Sequence, residues 1–248
     1  PNVKRPDVVL YVNGIALGVL ELKRSTVSVS EGIRQNLDNQ KKEFIEPFFS
    51  TIQLVMAGND TEGLRYGVIE TPEKYWLTWR EESPDWKPGA PADTKYLPDE
   101  ECEDTTGLLN CALKRLVRPE RLLTLIHDFM VFDAGTKKAC RPNQFFGVLA
   151  AQQRIKRREG GILWHTQGSG KSLTMVWLTK WIRENIDDSR VLIITDRTEL
   201  DEQIEKVFNG VNENIRRTKS GADLVSVLNS NEETLVCSLI HKFGMSED

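Results

Sequence analysis

The chain has 248 residues, more than a single domain usually holds, so two domains are expected, each large enough to bury a core. Its 33 basic and 37 acidic residues leave a formal net charge of −4, which excludes a global basic field for nucleic acid but not a local basic face. No apolar run approaches the roughly 20 residues of a membrane span, and no signal peptide opens the chain. The four cysteines, Cys102, Cys111, Cys140 and Cys237, show no Cys-x-x-Cys pair and no His at zinc-ligand spacing, so reduced thiols of a cytosolic protein are expected. The basic clusters Lys23-Arg24, Lys41-Lys42, Lys137-Lys138 and Arg154 to Arg158 read as solvated faces.

In chain order, the first signal is a pair of apolar, β-branched runs around Asn13-Gly14, a hairpin signature. Strand alternation puts Val8, Leu10, Val12, Ala16, Gly18, Leu20 and Leu22 on one apolar face, the expected core side. Asp7, Glu21 and Lys23 fall on the opposite face, at the open end of the hairpin. Asp7 lies across from Glu21 only if paired residue numbers sum to 28, whereas a plain two-residue turn gives 27. A three-residue or bulged turn is therefore expected. Two carboxylates at one sheet end can hold Mg²⁺, which activates a water and stabilises charge on a phosphate. A lysine beside them orients that water and offsets developing negative charge. The competing reading of the same spacing is a sheet end with solvated charges.

Ser28-x-x-Glu31 reads as a capping box opening a helix to about Ile45, with Ile33, Leu37, Phe44 and Ile45 as its apolar stripe. Gln35 and Gln40 lie on it. Strands follow at Ile52 to Ala57 and Tyr66 to Ile69, and Trp76 and Trp79 read as core or edge packing. Residues 81–106, rich in Pro, Asp and Glu, cannot bury much apolar surface and read as a connector. Helices are expected at Leu108 to Leu116 and Pro119 to Phe132, bridging the two halves.

The second signal is His165-Thr166-Gln167-Gly168-Ser169-Gly170-Lys171-Ser172, between the apolar run Gly161 to Trp164, read as a buried strand, and an amphipathic helix at Leu173 to Ile182. Strand, glycine loop and helix form a nucleotide phosphate loop. Its backbone N–H groups meet phosphate at a helix N-terminus, Lys171 reaches the β and γ phosphates, and Ser172 offers its hydroxyl to Mg²⁺. The strict pattern has Gly where this chain has His165. A strand at Arg190 to Thr195, a helix after Asp196-Arg197 and a strand at Leu235 to Ile240 continue a parallel α/β order, with ligands at the strands' carboxyl ends.

These residues resemble the motor (R) subunit of type I restriction enzymes. The resemblance rests on the phosphate loop, Ile194-Thr195-Asp196-Arg197-x-x-Leu200-Asp201, the upstream Asp7 and Glu21-x-Lys23, Gln53 to Asn59 with Arg65-Tyr66-Gly67, and Arg141-Pro142-Asn143-Gln144. It implies an α/β chain in which a PD-(D/E)xK restriction-endonuclease-like domain is followed by the beginning of a P-loop RecA-like helicase domain. The implied division is an endonuclease domain over 1–80 lacking its N-terminal part, a linker with bridging helices over 81–140, and the first half of motor lobe 1 over 141–248. Catalytic residues are then Asp7, Glu21, Lys23 and Gln35, with Asp7 and Glu21 as metal ligands. Gln144, Thr166, Gly168, Ser169, Gly170, Lys171 and Ser172 bind ATP, with Gln144 reading adenine.

The family's nuclease helix carries Gln-x-x-x-Tyr. Here Gln35 is followed four residues on by Asn39, and Gln40 competes for the glutamine's role. Implied cofactors are Mg²⁺ and ATP, and implied partners are double-stranded DNA and the methyltransferase (M) and specificity (S) subunits, with no membrane, in the cytoplasm of a bacterium or archaeon. No Asp-Glu-x-His box follows Ser172, and the chain opens on Pro1 rather than Met. An excerpt of a longer subunit is expected, able to bind nucleotide but not to hydrolyse it well. Competing readings are a helicase-nuclease of DNA repair or another restriction class, and a non-cutting DNA-binding or nucleotide-sensing scaffold.

Overall fold

The computed structural model describes residues 3–81, 107–230 and 232–244, so most of the expected connector over 81–106 lies outside the described residues. The chain divides into two compact units, one formed by 1–130 with 137–143 and the other by 131–136 with 144–248. Both mix helices with sheet. No described helix is long and apolar enough to cross a membrane.

The first unit begins with β1 (Val8–Val12) and β2 (Ile15–Leu22), followed by helix α1 (Val29–Asn39), β3 (Leu54–Asn59) and β4 (Gly63–Gly67). The sheet order is β1-β2-β3-β4, antiparallel except for the parallel β2/β3 pair that α1 crosses over. The turn between β1 and β2 is the two-residue Asn13-Gly14, both at positive φ, and the first pairs, Val12 with Ile15 and Tyr11 with Ala16, sum to 27. The next pair is Leu10 with Gly18, so Leu17 is an extra residue in β2 and the remaining pairs sum to 28. A bulge inside the ladder supplies the shift expected of the hairpin.

The core side differs from the one that alternation assigns. Val9 and Val19 pair on the odd-numbered face and pack with Val55 and Ala57 against Val29, Ile33 and Leu37 of α1. The bulge turns Ala16 onto this face as well. Leu20, Met56 and Tyr66, on the other face, are buried too. The next helix, α2 (Gly107–Leu116), covers that side, and Leu109 lies over Gly58. Alternation marks a core only when one face is wet, and here neither is.

Ser28 caps α1, accepting a hydrogen bond from the Ser30 amide at 3.3 Å, whereas Glu31 pairs with Arg34 instead of closing a capping box. The helix ends at Asn39, and a turn leads into a 3-10 segment at Glu46–Ser50, where Pro47 occupies the first turn. Trp76 and Trp79 are buried as expected. Helix α3 (Pro119–Asp128) belongs to the same unit: Arg121 pairs with Glu81 and lies over the Trp79 ring. Cys140 and Cys237 are free and buried, but Cys111 is disulfide-bonded, which corrects the expectation of reduced thiols. Pairing depends on how close two Cα atoms come in space, which sequence spacing does not report.

Two short strands, β5 (Met130–Asp133) and β6 (Thr136–Ala139), precede α4 (Pro142–Lys156) and α5 (Lys171–Asn185). The second unit continues with β7 (Val191–Thr195), α6 (Thr198–Gly210), β8 (Arg216–Arg217), α7 (Gly221–Asn229) and β9 (Leu235–Leu239). The sheet order is β7-β9-β8, all parallel as the sequence suggests. Ser220 caps α7 by accepting from the Asp223 amide at 3.1 Å, and Asp223 accepts from the Lys219 amide at 2.6 Å, so the two side chains close the helix start reciprocally. Buried Asp201 ties the unit together, pairing with Arg217 of β8 and accepting from Thr195 and Cys237.

The expected strand at Gly161 to Trp164 does not form. Ile162 is 90% exposed and Trp164 89% exposed, and the run joins no sheet among the described residues. An apolar run becomes a buried strand only if neighbours take up its N–H and C=O groups. Among the described residues β7 pairs only with β9, and its Ile194 is half exposed, so no described strand covers that edge of the sheet.

Candidate functional site

The register set by the bulge, continued one residue past β1, places Asp7 opposite Glu21. Asp7 Oδ2 accepts from the Leu22 amide at 2.8 Å, so its side chain takes up the hydrogen bond where the strand has ended. Glu21 and Lys23 leave β2 on the face that α1 covers. The helix approaches closely because position 32 has no side chain: a Cβ on Gly32 would lie 3.1 Å from Ala57 Cβ and 3.4 Å from Lys23 Cγ. Side chains of β2 and α1 therefore meet directly.

Glu21 is fully buried. Gln35 donates to its Oε2 at 2.7 Å and Asn39 to its Oε1 at 3.0 Å, while Lys23 donates to Gln35 Oε1 at 2.6 Å. Burial, and then the nearby Asp7 carboxylate, raise the Glu21 pKa to about 7, against the weaker opposing pull of Lys23 and Asn39. Two carboxylates crowded without a cation between them are a site that a divalent metal relieves. Asp7 and Glu21 offer hard oxygen donors, and Mg²⁺ needs only one or two carboxylates with waters completing its shell. No cluster of three or more potential metal ligands occurs among the described residues, so a zinc-type cage is not built here.

Of the two glutamines, Gln35 reaches the carboxylate and the lysine. Gln40 bonds to Asn36 through its amide N–H and accepts from the Glu70 amide at 2.7 Å. It holds the loop where Glu70 takes positive φ. Asn39 and Gly32 were not picked out as site residues from the sequence. Asn39 follows Gln35 by four residues, on the same helical stripe, and this was the signal that could have found it.

In the second unit Gly168 and Gly170 have φ of 75° and 86°, and α5 starts directly after Gly170, so its first amides face the loop. Ser169 donates to Thr166 O at 2.7 Å. Gln144 is buried and donates to Gly170 O at 2.9 Å. At its φ of 86° any side chain on Gly170 would be strained, and a Cβ there would also push aside Gln144 Nε2, 2.5 Å away. Lys171 Nζ donates to His165 O at 3.0 Å and Thr166 O at 3.2 Å, within its own loop. His165 packs against α4 beside Gly147. Ser172 sits in the first turn of α5. The seven residues assigned to nucleotide thus gather at one loop and helix start, whose glycine φ values and free helix end fit a phosphate chain.

A cavity of about 640 Å³ in this unit lies elsewhere, lined among others by Arg216, Arg217, Lys219, His241 and Lys242. Its charge is largely spoken for: Arg216 pairs with Asp223, Arg217 with Asp201, and Lys242 donates to Thr218 O.

Residues 1–74 match the family described as type I restriction enzyme R protein N terminus, and residues 143–248 match the SWI2/SNF2 ATPase family. The chain is 26% identical to a type I restriction enzyme endonuclease subunit of Staphylococcus saprophyticus, over 97% of its own length and 24% of that protein's. It is 27% identical to the type I restriction enzyme HindI endonuclease subunit of Haemophilus influenzae, over 98% of its length and 24% of that protein's. A subunit of the same description in Staphylococcus aureus strain COL is 26% identical over 97% of the chain. The chain thus spans about a quarter of the length of the curated relatives it matches. With residues that match the R-protein N-terminal family ahead of residues that match the SWI2/SNF2 ATPase family, the chain is similar along nearly its whole length to endonuclease subunits of type I restriction enzymes.

Proposed function

We propose that the chain contributes the nuclease centre and the first part of the motor of a type I restriction subunit. That subunit cleaves double-stranded DNA with Mg²⁺ and translocates it with ATP, in a cytoplasmic complex with methyltransferase and specificity subunits. The first unit is then a PD-(D/E)xK nuclease, a reading supported by its four-stranded mixed sheet with one covering crossover helix. The second is the opening of a RecA-like lobe. On this reading the chain divides into endonuclease over 1–80, connector over 81–140 and motor over 141–248.

The observation that carries the reading is the shared face of Asp7 and Glu21. Without the bulge at Leu17 the two acids would point to opposite sides of the sheet. With it, they converge beside an ammonium group held by Gln35.

Asp7 and Glu21 would hold Mg²⁺, which when bound supplies an activated water and charge neutralisation at the phosphate. Lys23, fixed through Gln35 Oε1, orients that water and meets the charge that builds on the phosphate oxygens. Gln35 bridges lysine and glutamate, so both move as one body. Buried behind α1, Glu21 stays out of bulk water and keeps a fixed direction. In the second unit Lys171, drawn off His165 O and Thr166 O, would take the β and γ phosphates. Gln144 would read the adenine edge.

The test is Mg²⁺-dependent plasmid cleavage by the assembled complex. Asp7→Ala and Lys23→Ala are each expected to lower it by about a thousandfold, in the range for lost acid–base and electrostatic groups. Unchanged cleavage in either variant contradicts the site and favours a non-cutting scaffold.

A further inference from the structure

Helix α1 carries two amide side chains one turn apart, Gln35 and Asn39, and each donates to a different oxygen of Glu21, at 2.7 Å and 3.0 Å. A carboxylate has about four lone-pair positions. One donor per oxygen fixes its plane and rotation, and leaves a lone pair on each oxygen for a cation. A single donor would leave the group free to turn about its contact.

Asn39 has few other duties. It is 1% exposed and makes no other side-chain hydrogen bond among the described residues. Its Oδ1 is buried without a partner. Leaving a buried acceptor unmatched costs stability, and an apolar residue of similar volume would avoid that cost while keeping the packing. The neighbouring amide Asn36, by contrast, spends its donor on Met56 O of the central strand and accepts from Gln40, as a structural amide does.

We propose that Asn39 is a positioning residue of the metal centre: together with Gln35 it clamps both oxygens of Glu21 and holds that carboxylate in the orientation that binds the divalent cation opposite Asp7. The proposal rests on the metal-dependent nuclease reading above. The clamp works through geometry and not through contact with DNA, so its loss weakens metal binding and leaves DNA binding alone. Outer hydrogen-bond partners of metal ligands elsewhere typically contribute ten- to a hundredfold to metal affinity.

The experiment uses the assembled complex with Asn39→Leu, which keeps the branching but is bulkier, and Asn39→Asp, close to Asn in volume, with Asp7→Ala as the reference. Mn²⁺ affinity by calorimetry, the Mg²⁺ concentration for half-maximal cleavage, DNA affinity and ATP turnover are measured. Asn39→Leu is expected to raise the metal requirement at least about tenfold, with DNA affinity and ATP turnover unchanged. Asn39→Asp, which keeps the shape but replaces the donor by a second acid facing Glu21, is expected to do the same or worse, and it covers the case in which the leucine variant does not fold. Wild-type metal affinity in a folded Asn39 variant, while Asp7→Ala abolishes binding and cleavage, overturns the role of Asn39 alone. If Asp7→Ala also binds metal and cuts normally, the nuclease reading falls and the proposal with it.

Discussion

The carboxylate centre of the first unit and the phosphate loop of the second are built on opposite plans. In the first, the side chains are wired together: Lys23 to Gln35, Gln35 and Asn39 to Glu21, and Asp7 to the Leu22 amide. In the second, the lysine folds onto its own loop carbonyls and the run leading into the loop is exposed. A metal centre needs fixed carboxylates before the metal arrives, because its ligands lie on different elements and each must be aimed. A phosphate loop binds mainly with backbone amides of one continuous segment, so local chain geometry suffices until nucleotide arrives.

The sharpest way to break this comparison is a pair of variants read in both assays. Lys171→Ala is expected to abolish ATP-driven translocation and leave Mn²⁺ binding at the first unit at the wild-type level. Asp7→Ala is expected to do the reverse, losing metal binding and about a thousandfold in cleavage while ATP turnover persists. Loss of both activities in either variant would mean that the two centres are not separately built.

Deleting Leu17 probes the wiring itself. It removes the extra residue of β2 but leaves the partners beyond it, Leu10 with Gly18 through Val8 with Leu20, as they are, so Asp7 stays across from Glu21 on a regular ladder. Cleavage is expected to persist in the deletion variant and to be lost in Glu21→Ala, measured beside a melting curve that reports whether the sheet survives. A folded deletion variant that loses cleavage as fully as Glu21→Ala would contradict the register argument.

A subtler change is Gly32→Ala. The added methyl would sit 3.1 Å from Ala57 Cβ, and this crowding offsets the gain of about 1 kcal/mol that Ala brings to a helix. Stability is expected to change by less than about 1 kcal/mol, yet metal affinity should fall severalfold because α1 and its amides are lifted from Glu21. Calorimetric Mn²⁺ titration together with chemical denaturation separates the two effects.

The smallest expected effect is a pH slope. Glu21 holds its proton more tightly in the fold, with a pKa of about 7 against 4.5 for the ordinary group. The metal-free fold therefore binds more protons than the unfolded chain between those values, and its stability falls as pH rises through that window. Added Mg²⁺ binds the ionised carboxylate and should flatten or reverse the slope. Thermal melting across the window, with and without metal, checks the sign.

Much of this was legible in the sequence, for reasons that differ by residue. Asn13-Gly14 announced the hairpin, and the requirement that Asp7 share a face with Glu21 pointed to the shift that Leu17 supplies. The core face was not legible, because Leu20 and Val19 lie on opposite sides of a sheet buried on both. The phosphate loop was clear from its glycines and Lys171, but the apolar run 161–164 says nothing about whether strand neighbours are present. The choice between Gln35 and Gln40 needed the close approach of α1 to β2, which Gly32 permits. Asn39 stood out in the sequence only as the place where a tyrosine was missing. Its function shows when both oxygens of Glu21 are seen to be held.

The most direct test of the central claim is anomalous diffraction from crystals soaked in Mn²⁺. The account predicts one peak bridging the Asp7 and Glu21 carboxylates, with Gln35 and Asn39 still on the two oxygens of Glu21. A peak elsewhere, or Asp7 and Glu21 pointing to opposite faces of the sheet, would contradict it.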